Sequence, residues 1–197
     1  SKARYQLVVI GASAGGIQAL KQLVADLPAG FPLPVVVVQH LDPTHRSLLV
    51  EILAKRTSLH VAAVEEGASM DPGTIQVAPP GTHVLVRAGG TLALSSAEPV
   101  HHVRPSADVL FASAAESLGA AVIAVVLSGT GEDGASGVQA VKAAGGTVLA
   151  QNEASSEFYG MPGAAVDTGA VDEVLPLAEI GSKLASLATA GSHGGAT

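Results

Sequence analysis

The chain contains no cysteine. A disulfide framework, a thiol nucleophile and a thiolate metal site are therefore excluded, and the composition fits a reducing cytoplasm. Charge is scarce: Asp, Glu, Lys and Arg make up 14% of the 197 residues, against roughly 25% in an average globular protein. The formal net charge is −7, and no basic run interrupts the chain. Nucleic-acid binding through phosphates and an electrostatic membrane anchor are not expected. Long apolar runs are missing as well. The cleanest, residues 35–38 and 122–127, fall far short of the roughly 20 residues of a membrane span. The polar start Ser1-Lys2-Ala3-Arg4-Tyr5-Gln6 has no signal-peptide core.

What is abundant is aliphatic side chain. Hydrophobic residues reach 48%, enough for a substantial core and too many for a disordered acidic chain. Residues 7–10, 35–38, 122–127 and 147–150 are short apolar runs without alternation, as in strands buried on both faces of a parallel sheet. Helical patterns lie between and after them, over residues 17–27, 47–56, 107–118, 135–144 and 178–188. In the first, Ile17, Leu20, Leu23, Val24 and Leu27 form a 3.6-residue stripe. Turn residues surround two short apolar runs at 83–87 and 91–94, the signature of a hairpin about Gly89-Gly90. The alternation predicts an α/β fold: a doubly wound, mostly parallel sheet with helices on both faces and an antiparallel hairpin at one edge. Residues 1–190 are expected to form one domain, with 191–197 a frayed tail.

The first strand stops at Gly11-Ala12-Ser13-Ala14-Gly15-Gly16. This turn lacks the G-x-G-x-x-G spacing of a dinucleotide site and the Gly-Lys-Ser/Thr of a Walker loop. Gly11-x-Ser13-x-Gly15 fits a nucleophile elbow, with Ser13 exposed at a strand end and the amides of Ala14 and Gly15 placed to hold an oxyanion. Ser13 as a helix N-cap, or the turn as a phosphate cradle, are the competing readings.

A serine nucleophile needs a base. His40 follows the second buried run and should stand at the same edge as Ser13, where ligand sites of open α/β sheets collect. Capping a strand or packing on Leu41 is its plainer role. His60 and His83 begin strand-like runs, His101 and His102 lie in a loop, and His193 is in the tail. The third buried run leads into Ser128-Gly129-Thr130-Gly131-Glu132-Asp133-Gly134. Asp133 could orient His40 and support its imidazolium, or cap the helix that follows. Asp42 and Asp108 are rival orienters. No metal site is expected: His40 and His45 lack an intervening Glu, and His101 and His102 are adjacent, so neither pair makes the H-E-x-x-H face.

The set of motifs resembles a known family, the catalytic domain of the chemotaxis protein-glutamate methylesterase/glutamine deamidase. It is carried by residues 10–16 (IGASAGG), 39–40 (QH), 75–79 (IQVAP), 104–111 (RPSADVLF), 127–134 (LSGTGEDG), 151–155 (QNEAS) and 160–162 (GMP), and covers about residues 6–188. The resemblance implies Ser13 as nucleophile, His40 as base and Asp133 as its orienter. It implies hydrolysis of glutamyl methyl esters, and deamidation of glutamines, on cytoplasmic chemoreceptor helices, with no cofactor. Arg104, Thr130 and Met161 fall on family motifs and are expected at the substrate site. Ala14, Thr130 and Glu132 depart from residues frequent in the family, a hydroxyl residue, Met and Asn respectively. The family's receiver domain does not fit into the six residues before the first strand. The chain is expected to be a catalytic domain, excised, fused or standalone, whose full-length form carries a receiver domain or methyltransferase. A non-catalytic receptor-binding domain, or a phosphate- or nucleotide-binding α/β module, is the alternative reading.

Overall fold

A computed structural model of the chain describes residues 4–42 and 47–190. The expectations for His45, His193 and the 191–197 tail lie outside the described residues. In chain order the elements are β1 (Leu7–Ala12), α1 (Gly16–Asp26), β2 (Val35–Gln39), α2 (Leu49–Ala54), β3 (His60–Ala63), β4 (Thr74–Val77), β5 (His83–Arg87) and β6 (Thr91–Ser95). They continue with α3 (Ala107–Leu118), β7 (Val122–Val126), α4 (Ala135–Ala143), β8 (Thr147–Gln151), α5 (Gly160–Asp167), β9 (Glu173–Leu175) and α6 (Leu177–Thr189).

Seven strands form one parallel sheet in the order β3-β4-β2-β1-β7-β8-β9. The apolar runs are buried on both faces because successive side chains point to opposite sides. Val8, Ile10, Val35, Val37, Ile123 and Val125 share a cluster with Leu20 and Leu23 of α1, Leu53 of α2 and Ile180 of α6. Leu7, Val9, Val36, Val38, Ala124 and Val126 meet Phe111 of α3, Val141 of α4 and Met161 of α5 on the other face. The chain leaves β1 toward β2 on one side and returns to β7 on the other. The crevice beyond the carboxyl ends of β1, β2 and β7 is thus the switch point where ligands bind in such sheets.

The hairpin forms, but not as an edge of the large sheet. β5 and β6 make a separate two-stranded antiparallel sheet. The reason is local: Ser113 Oγ of α3 accepts from the Val86 amide at 2.9 Å, and Ser117 Oγ donates to the Val86 carbonyl at 2.9 Å. A helix satisfies the backbone edge of β5, while Val84, Val86 and Leu92 enter the second cluster. The strand-like run at His60 forms β3, while the short strands β4 and β9 and the helix α5 carry too little pattern to be read as elements from periodicity alone.

Candidate active site

The elbow is set by backbone. The Ser13 amide donates to the Ser128 carbonyl at 3.0 Å, and the Ser13 carbonyl accepts from Gly16 at 2.8 Å. Gly15 has φ 75°, in the left-handed region glycine tolerates. A Cβ on Gly15 would stand 2.7 Å from Ser128 Oγ. The N-cap of α1 is Gly15, with no side-chain cap, so the N-cap reading of Ser13 drops out. Ser13 is half-buried, and its hydroxyl has no hydrogen-bond partner among the described residues.

His40 is placed by the same strand pair. Ala12 and Gln39 are the last partners of β1 and β2, and the His40 amide donates to the Ala12 carbonyl at 3.0 Å. Ser13 and His40 are therefore the first residues past two adjacent strand ends. His40 Nε2 lies 2.7 Å from Asp133 Oδ2, and the side chains are 14% and 3% exposed. A carboxylate accepts, so Nε2 carries the proton and Nδ1 keeps its lone pair for a hydroxyl.

Asp133 does not cap the helix that follows it. Its Oδ1 accepts from Ser106 Oγ at 2.8 Å and from the Asp108 amide at 3.0 Å, while Oδ2 also accepts from the Ala107 amide at 2.7 Å. It sits on the N-terminus of α3, where unpaired amides and the helix dipole favour an anion. Burial opposes ionisation, but the His40 hydrogen bond and the Asp108 and Ala107 amides outweigh it and hold the carboxyl below its ordinary range. Asp108 does the reverse: from within α3 its Oδ1 accepts from Gly134 at 2.9 Å and Gly137 at 2.7 Å, at the start of α4. Asp108 therefore anchors a helix and does not orient His40. Asp42 is exposed on the loop beyond His40.

None of the other described histidines is hydrogen-bonded to Asp133; His101 lies 3.8 Å from both the Asp108 and the Glu132 carboxyls. His83 is buried; its Nδ1 accepts from the Ser106 amide and Nε2 donates to the Glu98 carbonyl. His101 and His102 are exposed and adopt φ 49° and 67°. His60 is exposed. No group of three metal-ligating side chains occurs among the described residues.

The three residues expected at the substrate site fare differently. Thr130 is exposed on the loop after β7. Met161 is fully buried, so it does not face a substrate; a Cβ on Gly129 would stand 2.4 Å from its Sδ and 2.8 Å from Ser13 Cβ. It is the floor beneath the nucleophile. Arg104 Nη1 donates to the Ser96 and Ala97 carbonyls at 3.0 and 3.1 Å. Its guanidinium pins the segment after the hairpin. Beside it a cavity of about 170 Å³ is lined by His40, Leu41, Gly81, Pro99 and His102. A wider groove runs past His101, Glu132, Tyr159 and Asp167. Gln39, Ser106 and Ser128, which hold the site together, had no place in the sequence-level constellation. Their signal is position: each lies inside a family motif and borders a site residue or helix start.

A hydroxyl at a strand end, an imidazole beside it and a buried carboxylate behind the imidazole are the parts of a nucleophilic acyl transfer. The sequence model of CheB methylesterase matches residues 8–184. Protein-glutamate methylesterase FrzG of Myxococcus xanthus is 43% identical over 91% of this chain and 54% of its own. Protein-glutamate methylesterase/protein-glutamine glutaminase 1 of Carboxydothermus hydrogenoformans is 44% identical over 92% of this chain and 55% of its own. The chain thus spans about half the length of the curated relatives it matches. The crystal structure of the Thermotoga maritima CheB methylesterase catalytic domain superposes with a TM-score of 0.89 at 36% identity, covering 93% of this chain and 98% of that one. The chain belongs to the CheB methylesterase family.

Proposed function

We propose that this chain removes methyl esters from glutamate side chains of chemoreceptors, and deamidates receptor glutamines by the same acyl transfer. The observation that carries the reading is the 2.7 Å contact between His40 Nε2 and Asp133, made beyond the carboxyl ends of β1 and β2, where Ser13 follows β1. Ser13 Oγ attacks the side-chain carbonyl and passes its proton to His40 Nδ1. The amides of Ala14 and Gly15 hold the tetrahedral oxyanion. His40⁺ gives the proton to departing methanol, or to ammonia from a glutamine. Water, deprotonated by His40, then releases the glutamate from Ser13. Asp133 stays ionised and keeps Nε2 protonated. No cofactor enters any step.

The substrates are methylated cytoplasmic helices of chemoreceptors, which places the chain in the cytoplasm. No described helix is long and apolar enough to cross a membrane. An exposed helix is too wide for the cavity beside His40, so one side chain enters while the helix lies along the groove past His101 and Tyr159. Where this domain is part of a longer protein, a receiver domain or a methyltransferase is its partner there.

The test is methanol release from a methylated chemoreceptor cytoplasmic fragment. The parent should release methanol, and Ser13→Ala should lower kcat by about 10³-fold or more with the fold intact. A variant that kept most of the activity would remove Ser13 from the mechanism.

A further inference from the structure

Two side chains near the elbow take no part in proton transfer, yet each holds one peptide of the turn. Gln39 is buried at the end of β2. One atom of its amide lies 2.8 Å from the Ser13 carbonyl and 3.1 Å from the His40 carbonyl. Two acceptors around one atom identify it as the NH₂. The other atom, Oε1, is buried without a hydrogen-bond partner. It packs so closely on the turn that a Cβ at Gly16 would stand 2.2 Å away. The fold keeps an orphaned acceptor here and gains a donor fixed between nucleophile and base. Ser128, equally buried, donates through Oγ to the Ala14 carbonyl at 2.8 Å. It is itself fixed from both sides: the Gln151 side chain accepts from its amide at 2.9 Å, and the Phe158 amide donates to its Oγ at 3.0 Å.

A trans peptide is planar, and its C=O and N–H point in opposite directions. The Ser13 carbonyl and the Ala14 amide belong to one such plane. The Ala14 carbonyl and the Gly15 amide belong to the next. Gln39 draws the first carbonyl inward, so the Ala14 N–H turns outward. Ser128 draws the second carbonyl inward, so the Gly15 N–H turns outward too. Neither amide has a hydrogen-bond partner among the described residues. We infer that Gln39 and Ser128 are positioning residues that aim the Ala14 and Gly15 amides at the developing oxyanion. The inference rests on the acyl-transfer reading of Ser13. Each side chain acts only through a peptide plane, and preorganised amides are effective because they need no reorientation as charge develops.

The experiment uses a fluorophosphonate probe, which needs no receptor. Ser13 Oγ forms a bond to phosphorus, fluoride leaves, and the hydroxyl proton passes through His40 to solvent. Negative charge develops on the phosphonyl oxygen as it does on an ester carbonyl. Labelling rates are compared for the parent, Gln39→Met, Ser128→Ala and Ser128→Thr, with Ser13→Ala as the blank and unfolding midpoints measured in parallel. Gln39→Met and Ser128→Ala should each label about 10–100-fold more slowly while remaining folded, and Ser128→Thr, which keeps the hydroxyl, should stay closer to the parent than Ser128→Ala. A crystal structure of the parent adduct should show the phosphonyl oxygen on the Ala14 and Gly15 amides. Parent-like labelling by both apolar variants, or an adduct oxygen turned away from those amides, overturns the inference alone. A parent that is not labelled at Ser13 overturns the acyl-transfer reading and the inference with it.

Discussion

The starts of α3 and α4 are built alike and behave differently. Each is held by a buried aspartate from the other's segment. Asp133, just before α4, accepts the Ala107 and Asp108 amides of α3. Asp108, within α3, accepts the Gly134 and Gly137 amides of α4. Both carboxyls lose water, and both gain two backbone donors. Yet burial, with the Asp133 charge beside it, leaves Asp108 above the usual carboxylate range despite the Gly137 and Gly134 amides. Asp133 is held below that range. The difference is His40, hydrogen-bonded to Asp133 at 2.7 Å, whereas the imidazole facing Asp108, that of His101, is exposed and 3.8 Å away. On the proposed mechanism, helix capping alone makes an anchor, and capping together with an imidazole makes the acid of the triad.

The largest effect that breaks the comparison is on chemistry. Asp133→Asn cannot hold Nε2–H of His40 as an anion does, and kcat for methanol release should fall about 10³–10⁴-fold. Asp108→Asn keeps an oxygen for Gly134 and Gly137, and its kcat should stay within about tenfold of the parent. Equal losses in the two variants would dissolve the distinction between acid and anchor.

Stability gives the next effect. Asp108→Ala strips both α4 amides of their acceptor in a buried place and should cost about 2–3 kcal/mol, read from urea midpoints. A cost below 0.5 kcal/mol would show that α4 does not depend on α3 for its start.

The pH dependence separates the carboxyls by sign. Asp133 has a folded pKa below its unfolded value. Its stabilisation is present above the unfolded value near pH 4 and is lost as pH falls through the lowered one. Asp108 is raised. Its stabilisation is fully present below about pH 4 and is lost as pH rises through the folded value. The destabilisation caused by Asp133→Asn should therefore shrink from pH 7 toward pH 3. Asp108→Asn should match or exceed the parent at pH 7 and lose that standing at acid pH. Opposite trends in urea denaturation series would contradict the assignments.

The reciprocal capping also marks where sequence reading stops. β1, β2, β7 and β8 are legible because each buried run is a local pattern, and Ser13 and His40 because each follows such a run, whereas Asp133 stands out from Asp42 and Asp108 only through the family resemblance. Family motifs then tie these positions to ester hydrolysis. Which helix Asp133 caps is not local. It precedes α4 and looks like that helix's cap, but its carboxyl crosses to α3. Gln39 and Ser128 are hidden likewise, since what they do depends on which peptide plane of a distant turn lies beside them. Met161 reads as a substrate contact from its motif, yet it packs beneath Gly129 because a helix with little periodicity brings it there. The hairpin was recognisable, but its separation from the main sheet depends on two serines of α3 that meet β5 only after folding.

The account depends most on how the His40 ring is used: Nε2–H toward Asp133 and Nδ1 open toward Ser13. Long-range ¹H–¹⁵N correlation spectra of ¹⁵N-histidine-labelled protein, at a pH where the ring is neutral, report the tautomer directly. The account predicts a His40 signal with Nε2 protonated and Nδ1 bare, lost as a fixed pattern in Asp133→Asn. A His40 protonated at Nδ1, or a pattern unchanged by Asp133→Asn, would contradict it.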